Sequence, residues 1–361
     1  MIRSAVNQGR YPADFQALRE DASERSPSWL RDLRESGWAH FESLGFPTTR
    51  RGNERWKYTN VAPIAKTEFA YSFQSGTSVD IAALVPFRQH QSSSFDLVFV
   101  NGGLSLELSS TPPASGGLQI SGIRDNDDAD LLEHLGRYIQ IENDGFAALN
   151  TAFVDDGAFV KVLDGYSEST QLRITYVTTN ENETQPKVTH PRTLVLAGRN
   201  THLTVIETYT GSPGDCYFTN AVTEIVLGEG ARADHYRLLL ESSGAFHVGT
   251  SRVTQGRDSE FSSASFAIGT SLARNDMEVL LNAPGGYCSL NGLYLTGDDQ
   301  HIDNLISIDH ALGGFDHGFR NLDLRILLPR TPGKQRHRTQ DCDPILHGLN
   351  PTAGREGVSR W

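Results

Sequence analysis

The spacing of apolar and polar positions along this chain changes near residue 158. Before that point the spacing is mostly helical: Leu30, Leu33, Trp38, Phe41 and Leu44 fall on one face at 3.6-residue intervals. Ser26 as N-cap and Pro27 at the first helical position open this helix, and Gly45 and Pro47 stop it. A basic and aromatic stretch, Arg50 to Thr59, follows as a connector whose rings are expected to be buried under Arg and Lys stems. Residues 72–126 are rich in Ser, Gly and Pro around one strand-like run, Phe95 to Asn101, and read as loops leading into a sheet. Asp127, Asp128 and Asp130 then precede Leu131 to Leu135, as acidic residues favour the positive end of a helix. A second short helix, Gly145 to Phe153, ends at Asp155-Asp156-Gly157.

From about residue 158 to 310 the period becomes two. Leu172, Ile174 and Tyr176 alternate with Arg173, Thr175 and Val177, which puts one face of a strand inside. Turn signals recur at Ala197-Gly198-Arg199-Asn200, Gly228-Glu229-Gly230, Gly256-Arg257-Asp258 and Pro284-Gly285-Gly286. A spacing of roughly 30 residues with two or three strands between turns fits a β-solenoid, each coil burying its inward side chains against the next. An ordinary β-sandwich gives short strands at similar spacing, and the pattern alone fits both equally.

Composition narrows the function. The 361 residues, 38% hydrophobic, suffice for two or three domains' worth of core. A net charge of −12 and a pI of about 5.4 argue against a nucleic-acid partner. The longest apolar runs, such as Leu97 to Val100 or Thr193 to Ala197, fall far short of the roughly 20 residues of a spanning helix, so no membrane partner is expected. The N-terminal MIRSAVNQGRYPADF lacks the apolar core of a secretion signal. Cys216, Cys288 and Cys342 are odd in number and form no CxxC, so they read as reduced thiols of a cytoplasmic protein. The charge is uneven: residues 1–310 carry −15 and residues 311–361 carry +3.

The usual catalytic constellations are missing. Gly333-Lys334 is followed by Gln335 and lacks the upstream glycine-rich loop of a phosphate cradle. HExxH is absent, and no GxGxxG follows a strand. Gly269-Thr270-Ser271-Leu272-Ala273 resembles a nucleophile elbow but lacks its final Gly and a following helix. His301 and Asp303 share one strand face and offer a nitrogen and an oxygen, but two ligands do not make a site; a hydrogen-bonded surface pair is the expected state. Ile302, Ile306 and Ile308 share the opposite, inward parity with His310. Cys288, beside Tyr287 and Leu290, reads as a small buried hydrophobe. No catalytic residue and no metal ligand is therefore predicted, the cofactor-binding residues are unknown, and the chain is not expected to be an enzyme. The rival readings are a β-helix carbohydrate-active enzyme, for which Asp298, Asp299 and Asp303 show no evident pairing, and a purely structural solenoid adaptor.

Several segments taken together resemble one family. Glu54-Arg55-Trp56-Lys57-Tyr58-Thr59, Ala148 to Gly157, His190-Pro191-Arg192, Leu290 to Leu295, Gln300-His301-Ile302-Asp303 and Ile308-Asp309-His310-Ala311 are similar, in this order, to the SufB/SufD family of iron–sulfur cluster assembly, on its SufD branch. The resemblance implies an N-terminal helical region (1–70), a connecting segment of mixed strand and helix (71–157) and a right-handed β-helix core (158–311). It further implies a non-catalytic scaffold in a SufB–SufC–SufD complex, with a SufB-like paralogue and a SufC-like ABC ATPase as partners. No cofactor is then bound stably by this chain, and a transient Fe–S cluster belongs to the parent complex.

After Ala311 the resemblance stops. The family continues with a Pro-His-Cys segment, further coils carrying a cysteine and histidine, and an apolar helical domain, none of which is recognisable in residues 312–361. Those residues hold seven Arg, seven Gly and four Pro, and only Leu322 to Leu328 could form a short element. The expectation is an irregular, disordered or out-of-frame tail on a truncated member of the family, with SufC docking weakened because the domain that carries it is not recognisable.

Overall fold

The computed structural model describes residues 9–22, 26–49, 53–72, 79, 94–110, 116–124, 126–166, 170–180, 185–297 and 299–311, and the backbone of 320–327. Five α-helices lie among them: α1 (Tyr11–Ala22), α2 (Ser28–Leu44), α3 (Ala62–Lys66), α4 (Ala129–His134) and α5 (Gly145–Ala152). None is long and apolar enough to cross a membrane. The helix expected to start at Pro27, with Ser26 as its N-cap, begins one residue later, at Ser28. Pro27 occupies the N-cap position in extended conformation, and the Ser26 hydroxyl instead accepts a hydrogen bond from Arg34 Nη1. Gly45 ends α2 at φ 61°, a left-handed geometry that costs glycine nothing. Leu44, expected on the buried face, is exposed.

The strands run as two stacked sheets. The first contains β1 (Ala70–Tyr71), β4 (Leu118–Gly122), β5 (Ala158–Val162), β7 (Lys187–Thr189), β8 (Arg192–Ala197), β10 (Phe218–Leu227), β12 (Phe246–Gln255), β14 (Leu272–Leu281) and β16 (His301–His310). The second contains β2 (Ser94–Val100), β3 (Gly103–Leu104), β6 (Thr170–Thr178), β9 (His202–Gly211), β11 (Arg232–Leu240), β13 (Glu260–Ile268), β15 (Tyr287–Leu295) and β17 (Arg320–Leu327). From β8 onward the chain alternates between sheets, and each strand from β8 to β15 pairs in parallel with the strand two later. That connectivity makes the core a β-solenoid and not a sandwich, whose neighbouring strands would be antiparallel. Register holds without a slip from His202 through Arg232 and Glu260 to Tyr287.

The four turn signals of the sequence all occupy one corner, between β8 and β9, β10 and β11, β12 and β13, and β14 and β15. Asn200 (φ 55°), Gly230 (φ 66°), Asp258 (φ 52°) and Gly285 (φ 79°) are left-handed there, coil above coil. A Cβ on Gly230 would lie 2.4 Å from Asn200 Oδ1, so the corner also needs the missing side chain for close approach.

Two large apolar clusters dominate the core among the described residues. One fills the solenoid lumen and begins with Leu97, Phe99, Val160, Leu172 and Val195. The other packs the helices onto the outer face of the first sheet and is rich in rings: Tyr11, Phe15, Phe41, Phe46, Phe146 and Phe153. Phe15 stacks on Trp38 at 4.6 Å, and Phe41 meets Phe46 edge-on at 5.3 Å.

Candidate functional site

Most of the motifs that carry the family resemblance lie at the junction between the helical region and the first sheet; the stretch 290–295 lies instead on β15 in the second sheet, with Leu290 and Tyr294 in the lumen. The outer face of the first sheet bears stacked charges of alternating sign, with Glu224, Arg252 and Glu278 in register on β10, β12 and β14. Across it lies a strap formed by the single 3₁₀ turn Glu54–Trp56 and the residues up to Thr59. Arg55 pairs with Asp276, which also accepts from Arg252 Nη1 at 3.2 Å. The Arg274 guanidinium stands 4.6 Å over the Trp56 ring, donates to the Arg55 carbonyl at 2.8 Å and pairs with Asp303. Thr59 donates to that same carboxylate. Of the two rings expected to be buried, Trp56 is, whereas Tyr58 is exposed.

A second junction lies under α5. Arg192 and Glu224 form an ion pair at 2.7 Å, both side chains 0% exposed. Glu224 also accepts the backbone N–H groups of Gly136 and Tyr138, and Arg192 donates to Asn150 Oδ1. Asn150 in turn donates to the carbonyls of Pro191, just ahead of β8, and of Asn220 on β10, so with the Arg192 bond one helix is tied to two strands. His190 stacks on Phe153 at 5.1 Å, and burial pushes its imidazole down to about 3, leaving it neutral. Asp156 accepts four backbone N–H groups, from Leu104, Ile123, Arg124 and Gly157, although burial raises its carboxyl above the ordinary range. These contacts fix architecture by tying the helical region to the first sheet.

The surface that does offer an interaction is β16. Among the described residues it pairs with β14 on one side only. The inward residues of earlier strands are buried, whereas Ile302, Asn304, Ile306 and Ile308 are half-buried. Among the described residues, such an edge presents backbone groups without a strand partner together with apolar side chains.

The residues weighed in the sequence fall as follows. Asp303 is bonded to Arg274 and Thr59 and does not form the surface pair expected with His301, which is exposed at the start of the strand. Asp299 is exposed, and Asp298 lies outside the described residues, as do Cys342 and Gly333-Lys334. Ser271 follows the tight turn at Gly269-Thr270 and leads into a strand, so no elbow forms. Cys288 sits in the lumen cluster, where burial pushes its thiol up to about 12. Cys216 is half-buried, its thiol raised by burial and by Asp215. Among the described residues, no three His, Cys, Asp or Glu side chains gather as for a metal ion. The tail contributes β17, which covers most of Leu322 to Leu328 and pairs with β15; the rest of it lies outside the described residues.

What sequence reasoning missed is the polarity of the lumen in its later coils. Glu207, His235 and Arg237 point inward, 0%, 1% and 2% exposed. Glu207 accepts from Thr193 at 2.6 Å, from Thr223 at 3.0 Å and from His235 Nε2 at 2.9 Å. Burial opposes its ionisation, but these bonds, led by His235, hold the carboxyl below its usual range. The signal was present as charged residues on the inward parity, between Val205 and Tyr209 and between Ala233 and Leu239.

Residues 6–174 match the SufBD protein N-terminal region, and residues 176–313 match the SufBD core domain of SUF system FeS cluster assembly. An iron–sulfur cluster assembly SufBD family protein of Synechocystis sp. is 28% identical over 327 residues, which cover 86% of this chain and 71% of that protein. The iron–sulfur cluster assembly protein SufD of Bacillus subtilis is 23% identical over 243 residues, 65% of this chain and 54% of SufD. The SufB protein of the same organism is 25% identical over 187 residues, 51% of this chain and 38% of SufB.

Proposed function

The chain belongs to the SufBD family of scaffold proteins in iron–sulfur cluster assembly, and from this premise we propose that it acts as a SufD-like, non-catalytic subunit. Its partner in this reading is a SufB-like paralogue, which adds strands at the β16 end of the solenoid. The observation that carries the reading is the half-buried inward row Ile302, Ile306 and Ile308 on a strand paired at one side among the described residues. A second solenoid end of the same strand spacing would cover that row and satisfy the backbone groups of the edge. The parent complex carries the transient Fe–S cluster and includes a SufC-like ATPase, held weakly by this chain because the family's C-terminal motifs are not recognisable after Ala311. The proposal places the complex in the cytoplasm.

Co-expression with a SufB paralogue and SufC, followed by pull-down, tests it. SufB is expected to co-purify with the wild-type chain, and Ile306→Lys on the edge is expected to lose it while the isolated subunit keeps its circular dichroism. Retention of SufB by Ile306→Lys, or its absence from the wild-type pull-down, would sink the proposed interface.

A further inference from the structure

Among the described residues, Arg237 is a buried charge with no ion-pair partner within 4 Å and two unpartnered nitrogens. It rises from β11 into the lumen, is 2% exposed, and makes one hydrogen bond to protein, from Nη1 to Ser251 Oγ at 3.4 Å. Its Nε and Nη2 have no protein partner. The neighbouring carboxylate on the same column is Glu207, whose two oxygens are already committed to Thr193, Thr223 and His235. A guanidinium does not lose its proton, so its charge must be met where it stands.

The surroundings are shaped around that group. Both terminal nitrogens of Arg237 and Nε2 of His247 gather over the bare Cα of Gly249; His247 is 0% exposed, its Nδ1 lies 3.0 Å from Glu241 Oε2, and its Nε2 has no hydrogen-bond partner. A Cβ on Gly249 would meet the three gathered nitrogens at 2.9, 2.9 and 3.0 Å. Gly249 is followed in register by Asn275 on β14 and Asn304 on β16, and each of these asparagines has an unpartnered Oδ1. On the facing sheet the column through Arg237 continues with Ser265 and Gly292, and the Tyr294 hydroxyl occupies the place a Gly292 side chain would take. A row of polar side chains therefore leads from the buried guanidinium to half-buried Asn304 on β16, the last described strand of the first sheet.

We propose that the lumen binds a small inorganic anion at Arg237, admitted from the β16 end along the Gly249, Asn275 and Asn304 column. The Glu207 carboxylate supplies negative charge nearby, but its oxygens are taken, so Nε and Nη2 of Arg237 still lack the acceptor that an anion would provide.

Bromide is the probe. Crystals of the full chain soaked in sodium bromide are expected to show an anomalous peak in hydrogen-bond contact with the Arg237 guanidinium. In solution, bromide in place of gluconate at equal ionic strength is expected to raise Tm by about 2–5 °C once the site is saturated. Arg237→Met should abolish that rise, and Arg232→Met, an outward arginine on the same strand, should keep it. The absence of a peak at Arg237 in wild-type crystals overturns the proposal, as does an equal bromide response in Arg237→Met. If Arg237→Met does not fold, the wild-type anomalous map decides alone.

Discussion

Arg192, on the outer face of β8, and Arg237, in the lumen beneath β11, are both buried guanidiniums, 0% and 2% exposed. Arg192 meets Glu224, Asn150 and Thr151, and its carboxylate partner is in turn held by two backbone N–H groups. Arg237 meets one serine. Burying a charge is costly in either place, and the difference lies in what the surroundings return. At the junction the network closes on itself and fixes how α5 and the 136–138 loop sit on the sheet. In the lumen the network around Glu207 closes, while the guanidinium next to it stays open. A satisfied buried pair specifies architecture; an unsatisfied charge is a place for something else to bind.

The largest test of this contrast removes the junction arginine. Arg192→Met strands Glu224 without its counter-charge and is expected to cost about 4 kcal/mol in urea unfolding. The double variant Arg192→Met with Glu224→Gln should recover a sizeable part of that loss; no recovery would mean the pair is not the reason. Next, Trp56→Ala removes a buried ring that lies under Arg274 and 5.2 Å from Phe146, and should cost about 3 kcal/mol. A loss no larger than that of an exposed substitution would show that the strap does not bear on the sheet.

A third test uses pH. His190 is neutral in the folded chain down to about 3, against an ordinary value of 6.5, so between these values the unfolded chain binds the extra proton. Stability is expected to fall as pH drops from 6.5 toward 3, by up to about 1.4 kcal/mol per pH unit from this group. His190→Gln should flatten the slope in that window, and an unchanged slope would assign it to other groups. The smallest effect is expected outside both networks. His202 and Asp234 approach at 3.0 Å on the outer face of the second sheet, 46% and 39% exposed. Asp234→Asn should change stability by no more than about 0.5 kcal/mol.

Much of the architecture was legible because it is local. The turn residues Gly198 to Asn200, Gly228 to Gly230 and Gly256 to Asp258 demand left-handed or tight backbone, and they mark one corner of the solenoid. Solenoid and sandwich could not be separated from periodicity, since alternation shows which face is inside and not which strand is the neighbour. α1 was overlooked, although Tyr11, Phe15 and Leu18 are spaced four and three apart and all are buried. The partners of Asp303 were illegible for another reason. Arg274 is 29 residues away and Thr59 244, so nothing in the local pattern links them. The inward charges Glu207 and Arg237 went unread because a charged residue on an apolar parity looks like an interruption of the strand until its partners are known.

The strap from Arg55 to Thr59 also bears on how the molecule unfolds. A stack of coils in contact only with its neighbours comes apart from its ends, one coil at a time. Here a segment near the start of the chain is fastened to β14 and β16, and α5 to β8 and β10. Fraying of the last coil must therefore break the strap's bonds to Asp276 and Asp303 as well as the ladder between β14 and β16. The strap converts a one-dimensional array into a body that opens as a unit, and it delays completion of the fold until residues more than 200 positions apart have met.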